Sequence, residues 1–224
     1  MEMDNTTIDY GDYAEYDRRQ RNIEQHLLAA FLGGLAVGPM GVLATGDGPG
    51  WLGQIYDPYA YFALTLAVGA TATGFGWALV TTFLAAVSTL VSAMGARALL
   101  GDDVLGAAGD AAGVNWTLVL LVGLGLVAYV TRRDDVWGDL AAAAVGAALI
   151  ADVADRAVPG LVESDGSFWP YPAAAIGLLS VALVLGLRRN AWGRVRALAM
   201  SAVLSTLLAA GLTGSLAGLL PLPV

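Results

Sequence analysis

The stretch from Tyr59 to Leu100 constrains this chain more than any other feature. It is 42 residues of nearly unbroken apolar sequence, with Arg97 as its one charge. As a single helix it would measure about 63 Å, since each residue rises about 1.5 Å. That is twice the roughly 30 Å of a bilayer's hydrocarbon layer. The run therefore predicts two membrane spans with a tight turn, and Gly74-Phe75-Gly76-Trp77 is the only break near its middle.

The rest of the chain follows the same plan. Apolar blocks near 20 residues long alternate with short clusters of Asp, Arg, Gly, Pro and Trp. Charged residues make up 13% of the sequence, against about 25% in an ordinary soluble domain. Backbone polar groups in lipid can be satisfied only by helices or closed barrels. Continuous apolar blocks without period-2 alternation select helices. The expected fold is an all-α integral membrane protein, a bundle of about seven transmembrane helices arranged as one lone helix plus three hairpins. The expected spans are 27–45, 59–76, 78–100, 114–131, 140–158, 172–187 and 197–220. An acidic, Tyr-rich tail (1–26) precedes this transmembrane domain (27–220), and residues 221–224 follow it. Pro39 should kink the first span.

Arginine orients the layout, because cytoplasmic loops retain positive charge. Nine of the eleven basic residues fall in three places: Arg18, Arg19 and Arg21; Arg132 and Arg133; Arg188, Arg189, Arg194 and Arg196. Loops 46–58, 101–113 and 159–171 hold seven acids and no Arg, so they are expected outside. Two outside loops flanking 59–100 require an even number of crossings between them, which independently predicts the hairpin. The N-terminus is then inside and the C-terminus outside. No cleavable signal peptide is expected, because the first 22 residues are polar and the first apolar block lacks a small-residue cleavage site.

Composition also removes chemistries. Cysteine is absent, which excludes disulfides, thiolate nucleophiles and Cys-based metal centres. Lysine is absent too, so no lysine Schiff base can form. His26 is the lone histidine, and no Ser–His or multi-His constellation can be built. No Gly-rich phosphate loop is present. No cofactor, metal, catalytic residue or nucleic-acid partner is expected, and the chain is not expected to be an enzyme. All-Arg usage with abundant Ala, Gly and Asp suggests a GC-rich prokaryote and its plasma membrane.

Ionisable groups inside spans cost several kcal/mol unless paired or hydrated. Only the fifth span carries a cluster: Asp152, Asp155 and Arg156. Asp152 and Arg156 are four apart and can pair along a helix, while Arg97 is a cross-helix partner for Asp155. This cluster reads either as a neutralised ion pair near the outer interface or as a proton or cation site with Asp152 titrating. Thr81, Ser88 and Ser92 share one face of the third span, as a polar path or as hydroxyls bonded to their own carbonyls. The GxxxG pairs Gly34/Gly38 and Gly214/Gly218 mark helix contacts within the protein or between copies.

A repeat runs through the inner turns. Arg132-Arg133…Trp137-Gly138 lies between the fourth and fifth spans, and Arg188-Arg189…Trp192-Gly193 between the sixth and seventh. It reads as parallel hairpins, or simply as Trp and Arg marking interfaces wherever the chain turns. The functional expectation is a non-catalytic membrane subunit or scaffold acting through a membrane-protein partner or a second copy. The alternative is a permease for a small solute, ion or lipid that uses Asp152.

Overall fold

The computed structural model describes residues 10–46, 48–105, 109–157, 171–188 and 190–212. These residues form helices without a strand, in the order α1 (Tyr10–Gly46), α2 (Gly50–Tyr56), α3 (Tyr59–Thr71), α4 (Phe75–Leu100), α5 (Ala111–Val130), α6 (Val136–Ala157), α7 (Tyr171–Leu187) and α8 (Ala191–Leu212). Four stretches are long and apolar enough to cross a membrane: Glu15–Gly46, Phe75–Leu100, Ala111–Val130 and Val136–Ala154. The shorter α7 is also apolar. Residues 213–220, with Gly214 and Gly218, lie outside the described residues.

The polar start of α1 joins the apolar block without interruption, and the helix runs through Pro39. Glu15 and Arg19, four residues apart on α1, pair at 3.8 Å, with both side chains largely exposed. Such a pair contributes only about 0.3–0.5 kcal/mol, so helix continuity comes from the apolar segment that follows.

Two elements differ from the expected layout. The long apolar run does break into two helices, but the break lies at Ala72–Gly74, and Gly76 and Trp77 belong to the first turn of α4. At Ala72 the backbone turns extended, its N–H donates to the Gly69 carbonyl, and its own carbonyl accepts from Arg132 Nη1. The turn is thus held by a side chain from another hairpin, which local sequence does not reveal. Second, the 46–58 segment, expected as a loop, contains α2. Its first turn closes on the Pro49 carbonyl, and the Tyr56 hydroxyl donates to the Val37 carbonyl at 3.2 Å. Gly53 lies close against Ala44 and Thr45. Docking on α1 is what stabilises so short a helix.

Helix ends are closed in ways the sequence supports. Gly101 (φ +79°) terminates α4, with its N–H on Ala98 and that of Asp102 on Arg97, a Schellman arrangement that uses glycine's freedom at positive φ. Asp110 caps α5 by accepting from the Gly113 N–H at 2.7 Å.

Small residues set the interior. Gly34 and Gly38 of α1 lie against α4. A Cβ on Gly34 would sit 2.6 Å from the Ala85 carbonyl oxygen, and one on Gly38 would sit 2.9 Å from the Ala93 nitrogen. The Ser92 hydroxyl donates across this seam to the Gly34 carbonyl at 3.2 Å. Gly69 of α3 and Gly125 of α5 meet backbone to backbone, with Thr82 of α4 closing over Gly125. In a lipid environment, whose tails are as apolar as Leu, close packing rather than water exclusion drives such contacts. A second region joins α3, α5, α6 and α7 through Tyr59, Leu66, Ala128, Val145, Leu149 and Ile176.

Candidate functional site

Among the described residues, a polar constellation gathers the three arginine-bearing segments at one end of the bundle. Arg18 and Arg19 of α1 share a cleft with Thr73, Trp77 and Arg132, and Arg132 shares a second cleft with Thr71, Asp134 and Arg188. The start of α1, the α3–α4 turn, the α5–α6 turn and the α7–α8 turn therefore stand together.

Two helix starts are built alike here. Asp135 caps α6: its carboxylate and its carbonyl both accept from the Gly138 N–H, and the carbonyl also accepts from Asp139. Asn190 caps α8: its side chain accepts from the Trp192 N–H, and its carbonyl accepts from Arg194 at 3.0 Å. The repeat seen as Trp-Gly is thus cap, residue, Trp, Gly, charge: Asp135 to Asp139 and Asn190 to Arg194. Arg133 donates to Asp135 at 2.7 and 3.0 Å and holds that exposed carboxyl below the usual range.

Asp139 occupies the first turn of α6, where the helix dipole favours a carboxylate. It is wholly buried. Arg188 Nη2 lies 2.5 Å from its Oδ1 and Arg196 Nη2 2.5 Å from its Oδ2. Arg188 is itself buried, and its Nη1 donates to the carbonyls of Thr131 (3.0 Å) and Arg133 (2.6 Å), which close the end of α5. The Arg188 carbonyl in turn accepts from Arg194 Nε at 2.8 Å. Both repeat glycines make room for this guanidinium. A Cβ at Gly138 would lie 2.7 Å from Arg188 Nη1, and one at Gly193 would lie 3.2 Å from Arg188 Nε. One arginine thus ties the ends of α5, α6, α7 and α8. Asp139 was not singled out by sequence reasoning. The available signal was its place in the repeat, where it opposes Arg194 in sign.

The sequence-selected residues lie elsewhere and apart. The Asp152 carboxylate accepts from the Tyr59 hydroxyl, a partner from α3. Asp152 also edges an apolar cavity of about 390 Å³ with Phe62, Leu66, Leu124 and Leu149. Arg97 borders a different cavity, of about 150 Å³, with Asp57, Tyr61 and Thr117. Ser88 lines neither: it donates to the Ala85 carbonyl at 3.0 Å, beneath Gly34. The side chains of Asp155 and Arg156 lie outside the described residues. Thr81, Thr82, Thr89 and Ser180 are buried, and each bonds a carbonyl of its own preceding turn at 2.6–2.7 Å.

Long apolar helices and glycine-mediated seams define a class, an all-helical protein compatible with embedding in a membrane. No protein-family model matches the chain, and no curated protein or solved structure does so.

Proposed function

We propose that this is a seven-span protein of a prokaryotic plasma membrane, N-terminus inside and C-terminus outside, serving as a non-catalytic subunit or scaffold that acts through a membrane-protein partner or a second copy. The observation that carries this reading is how the interior polar groups are spent. The buried hydroxyls of α4 and α7 close on their own helices, Gly34, Gly38 and Gly69 are closed over by the backbone of a neighbouring helix, and the buried Arg188–Asp139 pair ties helix ends together. Interior polarity used in this way supports rigidity rather than passage. The gathering of Arg18, Arg19, Arg132 and Arg188 at one end supports the inside assignment of that end.

One observation favours a permease instead: the cavity beside Asp152 gives an intramembrane carboxylate an apolar chamber. A paired experiment separates the two. Gently extracted from native membranes, a scaffold should migrate as a complex well above the 22.9 kDa chain, with one partner or a second copy in fixed stoichiometry; a uniform monomer would overturn it. In proteoliposomes, a permease should show pH-dependent solute uptake that Asp152→Asn abolishes, and unchanged flux would remove Asp152 from any such path.

Topology is testable separately, because the chain has no cysteine and any introduced thiol is unique. Asp102→Cys should react with an impermeant maleimide on intact cells, whereas Asp134→Cys should react only after permeabilisation. The reverse pattern would invert the layout.

A further inference from the structure

Beyond orienting the bundle, the cleft of about 660 Å³ where α1 passes the α3–α4 turn has no role in the reading above. Its lining includes Arg18, Arg19, Asn22, Trp77 and Arg132, with Glu15 as the one carboxylate among the described residues. We propose that it is a binding site for the phosphate headgroup of an anionic lipid. The inference rests on the membrane embedding proposed above.

Three guanidiniums from two separate segments of the chain face one carboxylate, so the cleft is cationic. Arginine's planar fork suits phosphate oxygens, which it can engage through two N–H groups at once. Arg132 is held in place from two sides. Its Nη1 donates to the Ala72 carbonyl, and its guanidinium carbon stands 5.9 Å from the centre of the Tyr129 ring. A guanidinium has five N–H donors, so a cation anchored through one of them still presents others to a ligand. Among the described residues Arg19 is tied to Glu15, at 3.8 Å and with both side chains more than two-thirds exposed. That contact exchanges readily for a phosphate. Asn22 adds a neutral amide.

The surroundings select a lipid over a free anion. Trp77 and Ile23 form part of the wall, and Phe75, largely exposed, stacks edge-on against Tyr129 at 6.0 Å. Trp rings favour headgroup depth. Basic pockets between helices on the arginine-rich side of a membrane fit anionic headgroups. A lipid phosphate could thus sit among the arginines while its glycerol and upper acyl chains run along Ile23, Phe75 and Trp77.

The test uses the full chain, first shown to reconstitute into lipid nanodiscs so that loss of embedding is scored separately. Purified protein is then offered phosphatidylglycerol or phosphatidylcholine, and retained lipid is counted by native mass spectrometry. Phosphatidylglycerol should be retained preferentially. Arg19→Gln, at an exposed site, should weaken its retention about fivefold, and Arg19→Gln with Arg132→Gln about 25-fold. Because Arg132 also holds the α3–α4 turn, helix content is checked by circular dichroism, and if the double variant unfolds, Arg19→Gln alone decides. Equal retention of the two lipids, or undiminished retention in Arg19→Gln, overturns the proposal. Displacement of the lipid by millimolar inorganic phosphate would mark a soluble-anion site and overturn the lipid assignment.

Discussion

Asp139→Ala is expected to destabilise the bundle by about 3 kcal/mol, the lower end of the cost of breaking a buried ion pair from one side. The variant leaves Arg188 without its counter-charge among helix ends, where it is 3% exposed. The full range extends to about 5 kcal/mol, but Arg188 stands at the end of the bundle and part of its charge can be relieved by snorkelling toward water. Arg196→Gln should cost under about 1 kcal/mol, because that side chain is 42% exposed and solvent screens its share of the pair. Arg188→Met should fall between the two. It leaves the buried Asp139 carboxylate with Arg196 as its remaining counter-charge and releases the Thr131 and Arg133 carbonyls. The double variant Asp139→Ala/Arg188→Met should be less harmful than the sum of its two single losses, since the two residues act as a unit. Thermal unfolding in a mild detergent reads the series. Equal losses for Asp139→Ala and Arg196→Gln would mean the knot is not what ties these helices together.

The second large effect concerns two glycines of α5. Gly125→Ala should cost about 1–3 kcal/mol by overpacking. Its Cβ would lie 2.8 Å from the Thr82 Cβ and 3.1 Å from the Thr65 carbonyl oxygen, inside a seam where three helices already touch. Gly123→Ala, two residues earlier on the same helix, should be neutral or stabilising by up to about 1 kcal/mol. Beyond the helix's own backbone, no atom of the described residues lies within 4 Å of its added methyl, and alanine is the better helix former. The pair is internally controlled, because both substitutions are chemically identical. A stability scan that ranks them alike, or in the opposite order, would show that α3, α4 and α5 do not meet at Gly125.

These two sites show where sequence reasoning reached and where it stopped. Glycines in apolar helices are common, and nothing local separates Gly123 from Gly125; only the approach of Gly69 and Thr82 does. Gly34 and Gly38 were legible because their four-residue spacing puts them on one face. Asp152 was legible as the deepest acid of its segment, but its neighbour was not. Helical spacing pointed to Arg156, whereas the hydroxyl that reaches it belongs to Tyr59, 93 residues away in the chain. Asp139 stands just before the fifth expected span, and its burial depends on Arg188 and Arg196 arriving from another hairpin.

By itself the sequence determined what the membrane's thickness and polarity dictate: helices rather than strands, where they can run, and which turns hold the arginines. Those properties depend on hydropathy summed over about 20 neighbouring residues, and a linear string records that sum completely. Only the tertiary structure decided where the long apolar run turns, which glycines are closed by backbone, and which charges are buried together. Each of these is a contact between segments far apart in the chain, and a helix propensity or a hydropathy block carries no information about what lies across from it.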